Sequence, residues 1–166
     1  ARRRRLVYPY EIVRMLTGSA SGANGGEGRA GLPTGRFEEY DLDPEAKAPT
    51  PRSFSGRPYG VNSSSVVFGI IDTPTAKVPE GMRRVLVLSD PTLGMGSLAA
   101  AECDRLVAAI DLAEQERIPL EWVPVSSGAR IAMDSGTENL DATARVARRI
   151  VTFTQAGGPS TSSSPA

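Results

Sequence analysis

The apolar residues of this chain fall into short unbroken runs and longer periodic stretches, and the two patterns predict different elements. Residues 66–72 (VVFGIID), 84–90 (RVLVLSD) and 120–126 (LEWVPVS) are short runs, the first ended by Thr73-Pro74. Runs of this length, apolar on both faces and rich in β-branched residues, fit strands buried between two layers. Between the second and third run, Leu98, Leu106, Val107, Ile110 and Ala113 recur at helical spacing in an alanine-rich stretch, predicting a helix over 97–117. Ser97 is placed to cap it, and Glu102 falls in the early turns, where a carboxylate complements the helix dipole. Strand, helix and strand at this spacing make a βαβ unit, whose crossover is expected to be right-handed. A second helix is predicted over 140–154, with Val146, Ile150, Val151 and Phe153 on its apolar side and Arg145, Arg148 and Arg149 on its polar side. Gly157-Gly158 would stop it.

The first third of the chain is less regular. Residues 6–17 (LVYPYEIVRMLT) predict a short helix starting near Pro9, a residue suited to a first helical turn. Ile12, Val13 and Leu16 would share its apolar side. Residues 18–35 hold seven glycines and few apolar groups, a flexible loop. Residues 37–57 stay rich in proline and charge, an extended segment anchored by Phe37, Tyr40 and Leu42. The last nine residues (GPSTSSSPA) carry no side chain that could anchor them to a core and read as a disordered tail. The expected divisions are therefore 1–17, 18–61, 62–157 and 158–166.

Composition narrows the function classes. The chain has 166 residues, 40% of them hydrophobic and only 5% aromatic, so a core must be built mainly from Val, Ile, Leu and Ala. Nineteen basic and nineteen acidic residues leave a formal net charge of zero, which supports neither nucleic acid nor a membrane surface as partner. The basic run Arg2–Arg5 reads first as a solvated face and second as a phosphate contact. Cys103 is the single cysteine and sits in the helical pattern, where it reads as core packing. There is no histidine, which removes the commonest general base and the usual activator of a serine nucleophile. No basic-then-apolar leader and no apolar run near ~18 residues is visible, so a soluble, cytoplasmic protein is the default.

Two places can carry chemistry, because glycines follow a predicted strand directly. The first is 89–97 (SDPTLGMGS), the second 126–130 (SSGAR). Small residues there let backbone N–H groups approach a ligand, and a helix start leaves N–H groups unpaired, which suits a phosphate or a developing oxyanion. Glycine-rich turns after strands are common, so alone this signal is weak. Asp90 and Asp134 read as turn caps before they read as an acid/base pair. Ser126 and Ser127 have no histidine to activate them. Trp122 reads as core, and Arg57 and Asn62 as turn residues.

The order of several blocks is more specific. Asn62 precedes VVFGI; Thr73-Pro74 and Pro79-Glu80-Gly81 follow; then come LSDPTLGMGSL, Ile118-Pro119 and SSGARIAM. In this order and spacing the chain resembles the N-terminal half of the carboxyltransferase of biotin-dependent acetyl-CoA and acyl-CoA carboxylases. LVYPYEIVRML resembles that family's opening helix. The stretch from GMGSL through ATARVARRIV is similar to the actinobacterial branch, in which one long chain carries biotin carboxylase, biotin carrier and carboxyltransferase. The resemblance spans nearly the whole chain, is weakest in the glycine loop, and is absent after Gly158.

This resemblance implies an α/β fold, a partial crotonase-like (ClpP/crotonase) β-β-α superhelix. It implies transfer of a carboxyl group from carboxybiotin to the α-carbon of acetyl-CoA or a longer acyl-CoA, a ligase reaction of fatty acid biosynthesis. The substrate would pass through an enolate whose oxygen is held by backbone N–H donors, with no catalytic side chain required. By position, Ser127, Gly128 and Ala129 would supply those backbone contacts. Ser127 stands where many relatives have a first glycine. Gly94, Gly96 and Ser97 would line the CoA pocket, and Arg130 would either clamp its own loop or reach the CoA phosphates. Biotin would be carried on another domain or subunit. The implied partners are acyl-CoA, the biotin carrier and biotin carboxylase domains, and the remaining carboxyltransferase half in a dimer. The chain would be a fragment, inactive alone; a non-catalytic fragment or another crotonase-type acyl-CoA enzyme is the alternative.

Overall fold

The computed structural model describes residues 8–18, 34–54, 57, 58, 61, 62, 64–131 and 136–157, and the backbone course of 160–162. The basic run at 2–5, most of the glycine loop and Asp134 lie outside them. The chain runs α1 (Pro9–Thr17), β1 (Arg36–Leu42), β2 (Pro51–Ser53), β3 (Val66–Thr73), β4 (Met82–Ser89), α2 (Ala100–Glu116), β5 (Leu120–Val123), α3 (Glu138–Gln155) and β6 (Ser160–Ser162), with a 3-10 turn at Gly94–Gly96 before α2. The strands form one six-stranded sheet in the order β2-β1-β3-β4-β5-β6.

The centre of the sheet follows the apolar runs. β3 and β4 pair antiparallel from Val66 opposite Ser89 to Thr73 opposite Met82. β5 lies parallel to β4, Val85 opposite Leu120, with α2 between them in sequence: the predicted βαβ unit. Val66, Phe68, Ile70, Val85 and Val87 point to one side and meet Cys103, Leu106, Ala109, Ile110 and Ala113 of α2. Ile71, Leu86 and Leu88 point to the other and meet Val13 of α1. This is the period of two along each strand, with both faces covered. β5 is shorter than the run 120–126: after Val123 comes Pro124, which has no N–H to continue a ladder.

α3 packs chiefly on α2 rather than on the sheet. Val146 and Phe153 enter the main core as predicted, but Val151 is exposed. Its arginines are not merely solvated: Arg145 pairs with Asp104 at 2.6 Å, and Arg149 pairs with Asp111 at 2.7 Å and Glu114 at 2.6 Å, all on α2.

Three expectations need correction. On α1 the buried stripe is Pro9, Tyr10, Val13 and Thr17, while Leu16 is exposed. The polar tips explain the swap: the Tyr10 hydroxyl donates to Glu39 at 2.9 Å and the Thr17 hydroxyl to the Val13 carbonyl at 2.9 Å, so both bury without orphaned groups. Second, residues 36–53 are not a division apart from 62–157. β1 sits between β2 and β3 in the same sheet, and Tyr40 and Leu42 pack on the main core. Third, the backbone of residues 160–162, within the last nine, lies in the sheet. Ser160–Ser162 pairs parallel to β5, Leu120 opposite Ser160, because an open strand edge offers backbone partners that no side-chain pattern announces.

Arg57, read as a turn residue, is the centre of a buried ionic cluster. It donates to Glu39 and, at 2.9 Å, to Asp41; Arg105 of α2 reaches Asp41 at 2.8 Å. Burial alone would lower the Arg57 pKa, but the hydrogen bonds and charges of Glu39 and Asp41 outweigh it and raise it. The Tyr10 hydroxyl is pushed up by burial and by its bond to Glu39. Four separate chain segments are thereby tied together at one end of β1. Asn62 does make the expected turn: its side chain donates to the Val66 carbonyl at 3.0 Å and accepts from the Ser64 N–H at 2.9 Å.

Candidate functional site

The two glycine turns meet at the carboxyl end of the sheet. The chain leaves β4 at Ser89, and Asp90 caps the turn as predicted, accepting from the Thr92 N–H at 2.9 Å. Three consecutive residues then take left-handed backbone: Gly94 (φ 52), Met95 (φ 55) and Gly96 (φ 68). For Met95 this conformation is costly, on the order of 1–2 kcal/mol, and its side chain is held out into solvent at 71% exposure. Gly96 is required on two counts. Its φ is positive, and a Cβ placed on it would lie 2.1 Å from the Val125 carbonyl oxygen.

That close approach brings the second turn alongside the first. The Ser127 N–H donates to the Met95 carbonyl at 3.2 Å. Leu98 forms a parallel bridge with Ala129: its N–H donates to the Gly128 carbonyl at 2.9 Å, and its carbonyl accepts from the Arg130 N–H at 2.8 Å. Because Leu98 is still extended in this bridge, α2 starts only after Ala99, and Ser97 does not cap it. Glu102 accepts the Ala99 N–H at 3.3 Å and the Ser64 hydroxyl at 3.1 Å. Its negative charge complements the helix start and disfavours a phosphate there.

Of the three predicted backbone donors, the fold leaves one open. Ser127 N–H is taken by Met95. Gly128 N–H donates to the Ser126 hydroxyl oxygen at 3.0 Å. Ala129 N–H has no acceptor among the described residues, since the bridge to Leu98 uses the groups on either side of it. On the first turn, Gly94 and Met95 N–H likewise have no acceptor among the described residues, whereas Gly96 and Ser97 donate to Leu93 and Gly94 carbonyls. Gly128 has φ 98 and open space where a side chain would stand.

Arg130 does not clamp its loop. It is exposed, its side chain makes no ion pair among the described residues, and its carbonyl accepts from the Asn139 side chain of α3 at 2.9 Å. The reading as a buried clamp is overturned, and an exposed guanidinium stands beside the turns. Sequence reasoning missed the apolar side chains that the turns themselves expose, a rim of Met95, Val125 and Ile131. It also missed the Ser126 hydroxyl, for which the only signal was a serine two residues before a glycine. Two clefts of the described surface lie away from these turns, one of about 340 Å³ beside Arg117 and Phe153 and one of about 270 Å³ beside Asp72 and Arg83.

Comparison with known proteins bears on this arrangement. No family model matches the chain. Acetyl-CoA carboxylase 2 of Oryza sativa subsp. japonica is 28% identical over 141 residues, covering 80% of this chain and 6% of the relative. Acetyl-CoA carboxylase 2 of Arabidopsis thaliana is 31% identical over 77 residues, covering 46% and 3%. Acetyl-CoA carboxylase of Schizosaccharomyces pombe is 27% identical over 126 residues, covering 76% and 5%. The chain thus spans only a small part of the length of these relatives. It is related, at low identity, to acetyl-CoA carboxylases, an enzyme family. Among the described residues no helix is long and apolar enough to cross a membrane.

Proposed function

We propose that this chain is the acyl-CoA-binding part of a carboxyltransferase, of the N-terminal, crotonase-like kind, and that it is inactive alone. The observation that carries the reading is the meeting of the two glycine turns, which leaves the Ala129 N–H open beside an exposed apolar rim. The similarity to acetyl-CoA carboxylases supports it, as does the succession β3, β4, α2, which is one β-β-α unit. In this reading a thioester oxygen accepts from Ala129 N–H, and the rim holds the apolar part of the acyl-CoA. Arg130 is free to meet the CoA phosphates.

The chemistry follows from that contact. Removing a proton from the α-carbon puts negative charge on the thioester oxygen, and a fixed N–H donor stabilises this charge more than it stabilises the neutral thioester. Carboxybiotin, held by another domain or subunit, would supply the carboxyl group, and the biotin ureido nitrogen left by that group would take up the α-carbon proton. The exposed turns leave that side open to a group delivered from outside. The partners of this reading are biotin carrier and biotin carboxylase domains and the second carboxyltransferase half in a dimer, on the plan of the actinobacterial single-chain enzymes.

Calorimetric titration of the chain with acetyl-CoA and longer acyl-CoAs tests the reading. Saturable heat with any of them, without carboxylation when free biotin and bicarbonate are added, is the expected result. No heat with all of them would leave an inert fragment, a reading favoured by the engagement of Ser127 and Gly128 N–H inside the protein.

A further inference from the structure

We propose that Ser126 is a positioning residue that occupies the Gly128 N–H until an oxygen of the bound ligand replaces it. The inference rests on the thioester reading above and adds a residue to it. The Ser126 hydroxyl oxygen accepts from Gly128 N–H at 3.0 Å and has no other partner among the described residues. Both residues are exposed, so this hydroxyl closes no core and joins no network. One rotation about χ1 withdraws it, a motion of picoseconds to nanoseconds for an exposed side chain. The space beside Gly128 where a side chain would stand is empty, so no side chain of that residue crowds the loop.

The neighbouring amide makes the arrangement meaningful. Ala129 N–H is open from the start, so a ligand oxygen gains that donor without losing anything inside the protein. Gly128 N–H is gained only in exchange for the serine hydroxyl. Such an exchange of one neutral acceptor for another is nearly neutral in the ground state. It becomes favourable when the ligand oxygen carries negative charge, because a charged acceptor bonds about twice as strongly. Ser126 thereby withholds one donor from the neutral thioester and yields it to the enolate, the differential on which rate depends.

The test compares acetyl-CoA with S-ethyl-CoA, a thioether lacking the carbonyl oxygen, on the full chain and on Ser126→Ala and Ser126→Thr. In Ser126→Ala the Gly128 N–H has no internal acceptor. The affinity ratio of acetyl-CoA to S-ethyl-CoA should rise about threefold to tenfold, the worth of one net hydrogen bond. Ser126→Thr, which keeps the hydroxyl, should retain the original ratio. Binding of both ligands with an unmoved ratio in Ser126→Ala overturns this role and leaves the thioester reading intact. Binding of neither ligand by the unaltered chain ends the thioester reading, and this role with it. An independent readout is the amide resonance of Gly128 without ligand. It should shift in Ser126→Ala and stay in Ser126→Thr; an unmoved resonance in Ser126→Ala overturns the proposal.

Discussion

The middle of the sheet and the turns at its carboxyl end are built on opposite principles. β3, β4 and α2 are held by side chains: Phe68, Ile71, Val85, Leu86 and Leu106 are all at most 2% exposed and stack on one another across two faces. The turns at 94–98 and 125–130 are joined to each other by backbone. Their contacts are N–H groups on carbonyls and a glycine that admits a carbonyl oxygen where a Cβ would be. A side-chain core tolerates rearrangement of its edges, whereas a backbone contact is set by a few φ values. The molecule places its rigid part under its candidate chemistry and leaves the chemistry to the main chain.

The largest expected effect breaks the first principle. Phe68→Ala empties the centre of the main core and should cost about 3–5 kcal/mol in urea denaturation; a loss below about 1 kcal/mol would mean that α2 does not seat on β3 as described. Next comes the ionic cluster, which belongs to neither region. Arg57→Met leaves Tyr10 on Glu39 and Arg105 on Asp41, so about 3 kcal/mol is expected, the low end for breaking a buried pair. Retained stability in that variant would show the cluster to be hydrated.

A pH titration then probes the helix side of the core. Burial pushes the Cys103 thiol up to about 11 from the ordinary 9.0. The fold therefore favours the protonated thiol. Its contribution is intact below pH 9.0 and is lost as pH climbs towards about 11. The difference in stability between the chain and Cys103→Ala should shrink by something on the order of 2 kcal/mol across that window, and a difference flat in pH would place the thiol in water. The smallest effects sharpen the second principle. Gly96→Ala should cost about 2 kcal/mol, because strain and a carbonyl clash combine, and Gly128→Ala only about 1 kcal/mol, because strain acts alone. Equal losses at the two glycines would mean that the turns do not touch.

What the sequence made legible follows the same division. β3, β4, α2 and α3 were readable because burial of apolar side chains repeats at a period of two or 3.6. Leu98 through Ala113 announced a helix correctly, and only its start was misplaced, since the bridge that keeps Leu98 extended is made by a partner about thirty residues away. β1 was seen as extended but not as part of the sheet. Glu39 and Asp41, buried at 6% and 7%, break its apolar alternation and find their partners on other segments. The two glycine turns after strands were legible, and the fold brings them together. Which of the amides are open was not legible, because a hydrogen bond between main-chain groups leaves no mark on residue identity. The same holds for β6, three residues of serine and threonine recruited by a bare strand edge.

α3 reaches the sheet mainly through α2, and two of its arginines grip that helix from the solvent side. Such stacking gives the fold an order of loosening. Any opening of that outermost layer would uncover Val146 and Phe153 of the main core. Since the Arg130 carbonyl is held by Asn139 at the start of that layer, lifting it would also release the loop that carries Gly128 and Ala129.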